Sequence, residues 1–168
     1  RRAAILMGPR RVGKTVMIYH CIKRLIDSGV DPQRIIYMSI DTPIYSNVSL
    51  DDLFSYARTA LHKEDVDRFF VFYDEIQYLK DWEVHLKSMV DTYRKTKFVA
   101  SGSAAAALKM KSNESGAGRF TDFMLPPLTF FEFLQLQNRD GNVIEENDRS
   151  ICPYGTLDID KLNEDFFE

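Results

Sequence analysis

Two glycines, a lysine and a threonine near the start of the chain have a spacing that suits phosphate chemistry. The segment 8–15, GPRRVGKT, matches the pattern G-x-x-x-x-G-K-[ST] in full. In such a loop the glycines let the backbone turn, so that successive N–H groups converge on a phosphate. Lys14 would reach the β- and γ-phosphates of a nucleotide, and the Thr15 hydroxyl would coordinate Mg²⁺. We predict nucleotide contacts from the loop and the next helical residue, namely Gly8, Pro9, Arg10, Arg11, Val12, Gly13, Lys14, Thr15 and Val16.

Two adjacent acids, Asp74 and Glu75, end the apolar run FFVFY at 69–73. In enzymes with a phosphate-binding loop, the first acid at this point orders Mg²⁺, and the second polarises the water that attacks the γ-phosphate. We therefore predict that Asp74 and Thr15 hold the metal, and that Glu75 and Lys14 are catalytic. The alternative is a pair of solvated acids where a strand meets a loop. The upstream phosphate-binding loop favours the functional interpretation.

The choice of nucleotide follows from patterns that the chain does not contain. A GTPase would carry an Asn-Lys-x-Asp motif near the fourth strand, where residues 97–103 read KFVASGS. A small-molecule kinase would usually show an arginine-rich lid after the third strand, where residues 82–94 form a plain amphipathic pattern. The sequence therefore favours ATP, bound with Mg²⁺ and hydrolysed.

Three further polar residues end or precede predicted strands. If the fourth strand lies between the loop strand and the Asp74 strand, Ser101 or Ser103 would point at the γ-phosphate, although serine also favours turns and helix caps. Arg119 follows two glycines and could stabilise phosphoryl charge in a neighbouring subunit. Its alternative role is a surface ion pair, for example with Asp122. We predict that Ser101 and Arg119 take part in catalysis.

Five short apolar runs alternate with helical patterns, which predicts an α/β fold with a parallel sheet covered by helices on both faces. Two aromatic residues near the third strand, Tyr78 and Trp82, are predicted to be core residues. The predicted strands are Ala3–Met7, Arg34–Ile40, Phe69–Asp74, Lys97–Ser101 and Phe120–Leu125. The predicted helices are Thr15–Ile26, Leu50–His62, Trp82–Tyr93, Ala104–Met110 and Phe130–Gln137.

Composition sets the domain organisation and excludes some classes of protein. Of the 22 basic and 25 acidic residues, three basic and nine acidic ones lie in 139–168, which leaves 19 against 16, or +3, in residues 1–138. That surplus is too small to indicate nucleic-acid binding by charge. No apolar run approaches the roughly 20 residues that span a bilayer. We predict a cytoplasmic ATPase domain over residues 1–138 and an acidic linker over 139–168 that leads to a further, missing C-terminal domain.

Five motifs in order resemble a known family. They are GPRRVGKT, YDEIQYL followed by Trp82, VASGSAA, SGAGRF and LPPLTFFEFL. The chain is similar to the AAA-superfamily P-loop ATPases of bacteria and archaea whose ATPase domain precedes a C-terminal domain of unknown function. The resemblance implies a three-layer P-loop sandwich with strand order 5-1-4-3-2, Ser101 or Ser103 as the first sensor, and Arg119 as a finger that reaches a neighbour's nucleotide in a homo-oligomer.

Three functions are compatible with these observations. The first is an ATPase whose cycle drives a change in an attached or partner domain. The second is a nucleotide-gated switch that assembles on ATP and hydrolyses it slowly. The third is a DNA-associated ATPase, which rests on family analogy alone and has no support from charge. We predict the first, with slow turnover by the isolated domain.

Overall fold

The computed structural model describes residues 2–45, 48–63, 68–103 and 118–138, together with the residue pairs 144–145 and 156–157. The predicted helix 104–110 lies outside these residues. The chain forms two compact units, Arg1–Pro126 and Pro127–Glu168. The assignment of residues 139–168 to a linker stays a prediction. Within the described part of the chain, no helix has the length and apolar content needed to cross a membrane.

The first unit is built on a five-stranded parallel sheet. Its strand order is β2-β3-β4-β1-β5, which is the predicted order read from the opposite edge. The predicted α/β fold is therefore confirmed. The strands are β1 (Ala3–Gly8), β2 (Ile35–Ser39), β3 (Phe70–Asp74), β4 (Lys97–Ser103) and β5 (Phe120–Met124). The helices of this unit are α1 (Lys14–Asp27), α2 (Leu50–Ala60) and α3 (Trp82–Thr92).

Local signals in the sequence explain where the helices of the first unit begin. Ser49 precedes α2, and its hydroxyl accepts a hydrogen bond from the backbone N–H of Asp52, which satisfies one of the free donors of the first turn. Helix α1 instead begins directly after Gly13, whose φ of 91° only glycine adopts without strain. The phosphate-binding loop therefore leads directly into α1.

The hydrophobic core lies around β3 and is rich in aromatic residues. Phe54 of α2 is fully buried, and its ring makes edge contacts with Phe69, Tyr93 and Phe98 at centroid distances of 5.4, 5.1 and 6.1 Å. Edge-to-face pairs of this kind are favourable beyond the area they bury. The hydroxyl of buried Tyr73 donates to the carbonyl of Leu50 at 2.9 Å, so this polar group is satisfied inside the core. These contacts fix β3, whose last residue is Asp74.

The edge strand β5 differs from the expectation of strands buried on both faces. Phe123 and Met124 are 53% and 58% exposed, whereas β3 is almost entirely buried. An edge strand has a neighbour on one side only, so the apolar run overpredicts its burial. Leu125, which follows β5, still donates its N–H to the Met7 carbonyl at 2.7 Å. The end of β5 is therefore held beside the end of β1.

The second unit contains one described helix, α4 (Phe130–Leu136), and a two-residue antiparallel ladder. A capping box begins α4, because Thr129 accepts from the Glu132 N–H while the Glu132 carboxylate accepts from the Thr129 N–H. These hydrogen bonds hold the pKa of Glu132 below its usual value. The ladder pairs β6 (Ile144–Glu145) with β7 (Thr156–Leu157).

Candidate functional site

The phosphate-binding loop joins β1 to α1 at the carboxyl edge of the sheet. Gly8 is needed there because a Cβ at this position would lie 2.5 Å from the carbonyl oxygen of Leu125, a backbone atom that cannot move freely. Gly13 is needed for a different reason, its positive φ. Arg11 also has a positive φ, 66°, which is uncommon for a residue with a side chain. The loop thus has a tight, specific backbone shape.

Lys14 is the first residue of α1, and its side chain turns back over the loop. Its Nζ donates to the carbonyl oxygens of Gly8 at 3.2 Å and Pro9 at 2.9 Å. The residue is only 5% exposed. A buried ammonium group without an anionic partner depends on such carbonyl contacts. An anion placed in the loop would therefore meet a positive charge that is already desolvated and positioned.

Asp74 ends β3 and is the most heavily bonded carboxylate of the described residues. One carboxylate oxygen, Oδ2, accepts from the hydroxyls of Thr15 at 2.7 Å and Tyr37 at 3.0 Å. The other, Oδ1, accepts from the Ser101 hydroxyl and from the Glu75 N–H. The residue is 1% exposed, and these four donors satisfy its two oxygens inside the protein. The structure thus brings Thr15 and Asp74, both predicted metal ligands, into direct contact.

Oxygen ligands of this kind suit Mg²⁺. The ion prefers one or two protein oxygens, with phosphate and water completing six positions. A hydroxyl and a carboxylate oxygen 2.7 Å apart can serve as neighbouring ligands after the hydroxyl gives up its hydrogen bond. No cluster of three or more His, Cys, Asp or Glu side chains occurs within the described ranges, so an all-protein metal cage is not found there.

Glu75 and Ser101 lie next to Asp74. Glu75 has φ 54° and ψ 43°, which turns the chain sharply out of β3 into a short 3₁₀ turn over Ile76–Tyr78. Its N–H donates to the Ser101 hydroxyl at 3.1 Å, so the fully buried Ser101 joins the two acids. Glu75 lines a cavity of about 570 Å³ together with Arg10 and Arg11 of the loop. This places the predicted catalytic acid and the loop around one space.

Ser103, the alternative to Ser101, has different contacts. It is the last residue of β4 and half-buried, and its N–H donates to the side-chain oxygen of Gln77 at 3.1 Å. Ser101 alone of the two contacts Asp74 through its hydroxyl. The two serines therefore differ in geometry: Ser101 supports the carboxylate, and Ser103 is tied to the 3₁₀ turn.

Tyr37 is a site residue that the sequence did not indicate. It lies in β2, beside β3, and its hydroxyl reaches Asp74 while accepting a hydrogen bond from the Tyr19 hydroxyl at 3.3 Å. Partial burial raises the pKa of Tyr37, and the Tyr19 contact and the Asp74 charge raise it further. Tyr37 therefore keeps its proton and remains a donor to Asp74 at neutral pH.

Arg119 lies at the opposite end of the sheet from the phosphate-binding loop. Its carbonyl accepts from the Ala3 N–H at 2.8 Å, at the start of β1, whereas the loop follows the end of that strand. The six residues of β1, at about 3.3 Å each, separate the Arg119 end of the strand from the end that leads into the loop. The guanidinium Nε pairs with Asp91 of α3 at 3.1 Å, not with Asp122, beside a cavity of about 580 Å³. Arg119 is thus outside its own chain's loop site.

Comparison with known proteins places the chain in a family. A family model described as an AAA domain matches residues 1–134. The chain belongs to this AAA domain family. An uncharacterized protein of Methanocaldococcus jannaschii is 30% identical over 136 residues, which are 79% of this chain and 27% of that protein. An uncharacterized protein of Haemophilus influenzae is 25% identical over 137 residues, which are 82% of this chain and 34% of that protein.

A solved structure has a similar fold. The Aeropyrum pernix ORC1 protein, in complex with DNA, superposes with a TM-score of 0.54 at 13% identity, over 83% of this chain and 44% of that one. At this identity the likeness shows the fold alone. Because the chain spans about a third or less of the curated relatives it matches, the activity of a whole relative is not represented here. AAA domain membership makes the chain an ATPase-type module and implies nucleotide binding.

Proposed function

We propose that this AAA domain binds ATP with Mg²⁺ at the carboxyl edge of its sheet, hydrolyses it slowly, and passes its nucleotide state to an attached or partner domain. The main support for this proposal is the contact between the loop helix and the carboxylate at the end of β3. The Thr15 hydroxyl, at the start of the helix that follows the loop, lies 2.7 Å from the Asp74 carboxylate. Phosphate binding and metal binding would therefore occur at one point, with Glu75 beside it.

The loop and Lys14 would bind the phosphates. Helix α1 begins directly after the loop, and the backbone N–H groups of a helix's first turn favour an anion. Lys14 would exchange its two carbonyl contacts for the β- and γ-phosphate oxygens, which are stronger acceptors. Arg10 and Arg11 line the cavity above the loop and would balance part of the triphosphate charge.

Thr15 and Asp74 would hold Mg²⁺, and the ion would supply charge neutralisation on the β- and γ-phosphate oxygens. Glu75 would orient the attacking water and accept its proton, since this residue borders the same cavity as Arg10 and Arg11 of the loop. Ser101 would keep both acids in place through its contacts with the Asp74 carboxylate and the Glu75 N–H. Each role thus belongs to a residue whose position in the structure suits it.

The proposal is tested by steady-state phosphate release from ATP over a range of protein concentrations, with Mg²⁺ and with excess chelator. We expect slow release that requires Mg²⁺ and that prefers ATP to GTP. Tight ATP binding with no release at any concentration would contradict the hydrolytic role. It would favour the nucleotide-gated switch instead.

Tyr37→Phe tests the support of Asp74. The change removes one donor from Oδ2 and keeps the ring, so packing is preserved. Loss of a hydrogen bond to a metal-binding side chain typically costs about 10- to 100-fold in metal affinity or activity. We expect the Mg²⁺ concentration that half-saturates ATP turnover to rise by about 10-fold, measured by Mg²⁺ titration.

Tyr19→Phe is the matched control, because loss of the Tyr19 hydroxyl removes its contact with Tyr37 and leaves the Tyr37–Asp74 hydrogen bond in place. Equal effects of the two variants would refute a role for Tyr37 at Asp74.

Arg119→Ala tests the contribution of a neighbouring subunit. Because Arg119 lies at the far end of the sheet from its own loop, we propose that it acts on the nucleotide of another copy. The wild-type rate per molecule should then rise with protein concentration, and the variant should stay at the rate of dilute wild type. Asp91→Asn is the control, since it breaks the ion pair and keeps the guanidinium. If Arg119→Ala lowered the rate equally at all concentrations, action between subunits would be wrong.

A further inference from the structure

We propose that Gln77 is a positioning residue that holds the Glu75 carboxylate and couples it to the end of β4. The inference rests on the proposed hydrolytic role of Glu75 and concerns the control of that residue. Gln77 lies in the 3₁₀ turn Ile76–Tyr78, directly after Glu75. Its side chain is half-buried, and both ends of its amide are engaged.

The Gln77 amide donates one hydrogen bond and accepts the other. The Nε2 group of Gln77 donates to Oε2 of Glu75, and Oε1 accepts the Ser103 N–H at 3.1 Å. A carboxylate only accepts and a backbone N–H only donates, so a flipped amide would lose both hydrogen bonds. The amide therefore has one satisfied orientation, and that orientation joins the carboxylate to the backbone of β4.

Close packing keeps this link short. A Cβ at Gly102 would lie 3.1 Å from Sδ of Met7 and 3.3 Å from Oε1 of Gln77, so a side chain there would press on both. The missing side chain lets β4 approach the 3₁₀ turn. A second link runs from Ser101, whose hydroxyl accepts the Glu75 N–H at 3.1 Å. The end of β4 therefore holds Glu75 at two places, its backbone and its carboxylate.

The hydrogen bond from Gln77 restricts the orientation of the Glu75 carboxylate. A glutamate at the edge of an open cavity has many rotamers, and an amide bound to its carboxylate selects among them. General-base catalysis depends on that orientation, since a displacement of about 1 Å costs up to 100-fold in rate. Because the same amide binds Ser103, a movement of the β4 end on nucleotide binding would reach the Glu75 carboxylate through two hydrogen bonds.

Two variants separate the two ends of the amide. Gln77→Ala removes both contacts, whereas Gln77→Glu keeps an acceptor for the Ser103 N–H and places a second negative charge beside Glu75. We expect both to lower kcat roughly 10- to 100-fold, with little change in KM, because the contacts of Gln77 go to Glu75 and Ser103. Hydrogen exchange at the Ser103 amide should be faster in Gln77→Ala and remain slow in Gln77→Glu.

The double variant Glu75→Gln with Gln77→Ala shows whether Gln77 acts through Glu75. Single-turnover phosphate release should be the same as in Glu75→Gln alone. A further loss in the double variant, or wild-type kcat in Gln77→Ala, would overturn the inference and leave the proposed function intact. No phosphate release by the wild type would overturn the proposed function and, with it, the catalytic meaning of this link.

Discussion

Lys14→Ala is expected to abolish measurable ATP binding. The Lys14 ammonium group is buried against the loop, so it is desolvated before a nucleotide arrives. Two charge-assisted hydrogen bonds to phosphate contribute about 1.5–3 kcal/mol each. Together they correspond to a loss of roughly 10²- to 10⁴-fold in affinity. Equilibrium titration with ATP and Mg²⁺ measures the change directly.

Lys14→Met is the matched variant for this experiment. Methionine keeps the buried length of the side chain and removes only the charge and the donors. Both variants should lose ATP binding, while Lys14→Met should keep more of the free energy of unfolding than Lys14→Ala. Wild-type affinity in Lys14→Met would show that the ammonium group does not contact phosphate, and would contradict the assignment of the loop.

Glu75→Gln is expected to separate binding from hydrolysis. Glutamine has nearly the same shape and keeps an oxygen that can accept from Gln77, so the site should stay assembled. It cannot take a proton from water, and loss of a general base typically costs about 10²- to 10⁴-fold. We expect an unchanged dissociation constant for ATP and a fall in kcat of that size, measured by phosphate release after mixing with ATP and Mg²⁺.

A nearby acid provides the control for Glu75→Gln. Asp81 is exposed and, like Glu75, has a positive φ, which asparagine tolerates. Asp81→Asn therefore changes the charge of the same region without touching the cavity above the loop. Its turnover should equal that of the wild type. Normal turnover by Glu75→Gln would show that another group, or substrate itself, accepts the proton.

The parallel sheet is predicted well because each strand is a short apolar run between helical patterns. The loop sequence fixes the end of β1, and the acids at 74–75 fix the end of β3. Parallel strands place those ends on one edge, so the contact between Thr15 and Asp74 follows from topology. Family resemblance adds the strand order, which alternation alone leaves open.

The contacts of Tyr37 and Gln77 could not be predicted from spacing. Tyr37 is 37 residues from Asp74, and Gln77 is 26 residues from Ser103, so no local motif links either pair. A tyrosine within a strand of mixed apolar residues is typical of a core residue. Only the register of β2 on β3 places the Tyr37 hydroxyl beside a carboxylate. Contacts of this kind, between side chains far apart in the sequence, depend on tertiary packing.

Of the two aromatic residues predicted to be buried near β3, one is buried and the other is exposed. Trp82 is 4% exposed and stacks on Phe120 at 6.2 Å, as expected for a core residue. Tyr78, expected to be core as well, is 58% exposed. A 3₁₀ turn has three residues per turn, so Ile76 faces the core and Tyr78 faces away. The apolar character of Tyr78 did not reveal this local geometry.

Hydrogen exchange with and without ATP and Mg²⁺ tests most directly whether the carboxyl edge of the sheet is the nucleotide site. We expect slower exchange in peptides that cover residues 8–17 and 74–77 and the end of β4, with no change in α2. Lys14→Met should remove this protection. Protection confined to the cavity beside Arg119 and Asp91, with none at residues 8–17, would show that the nucleotide does not bind at the phosphate-binding loop.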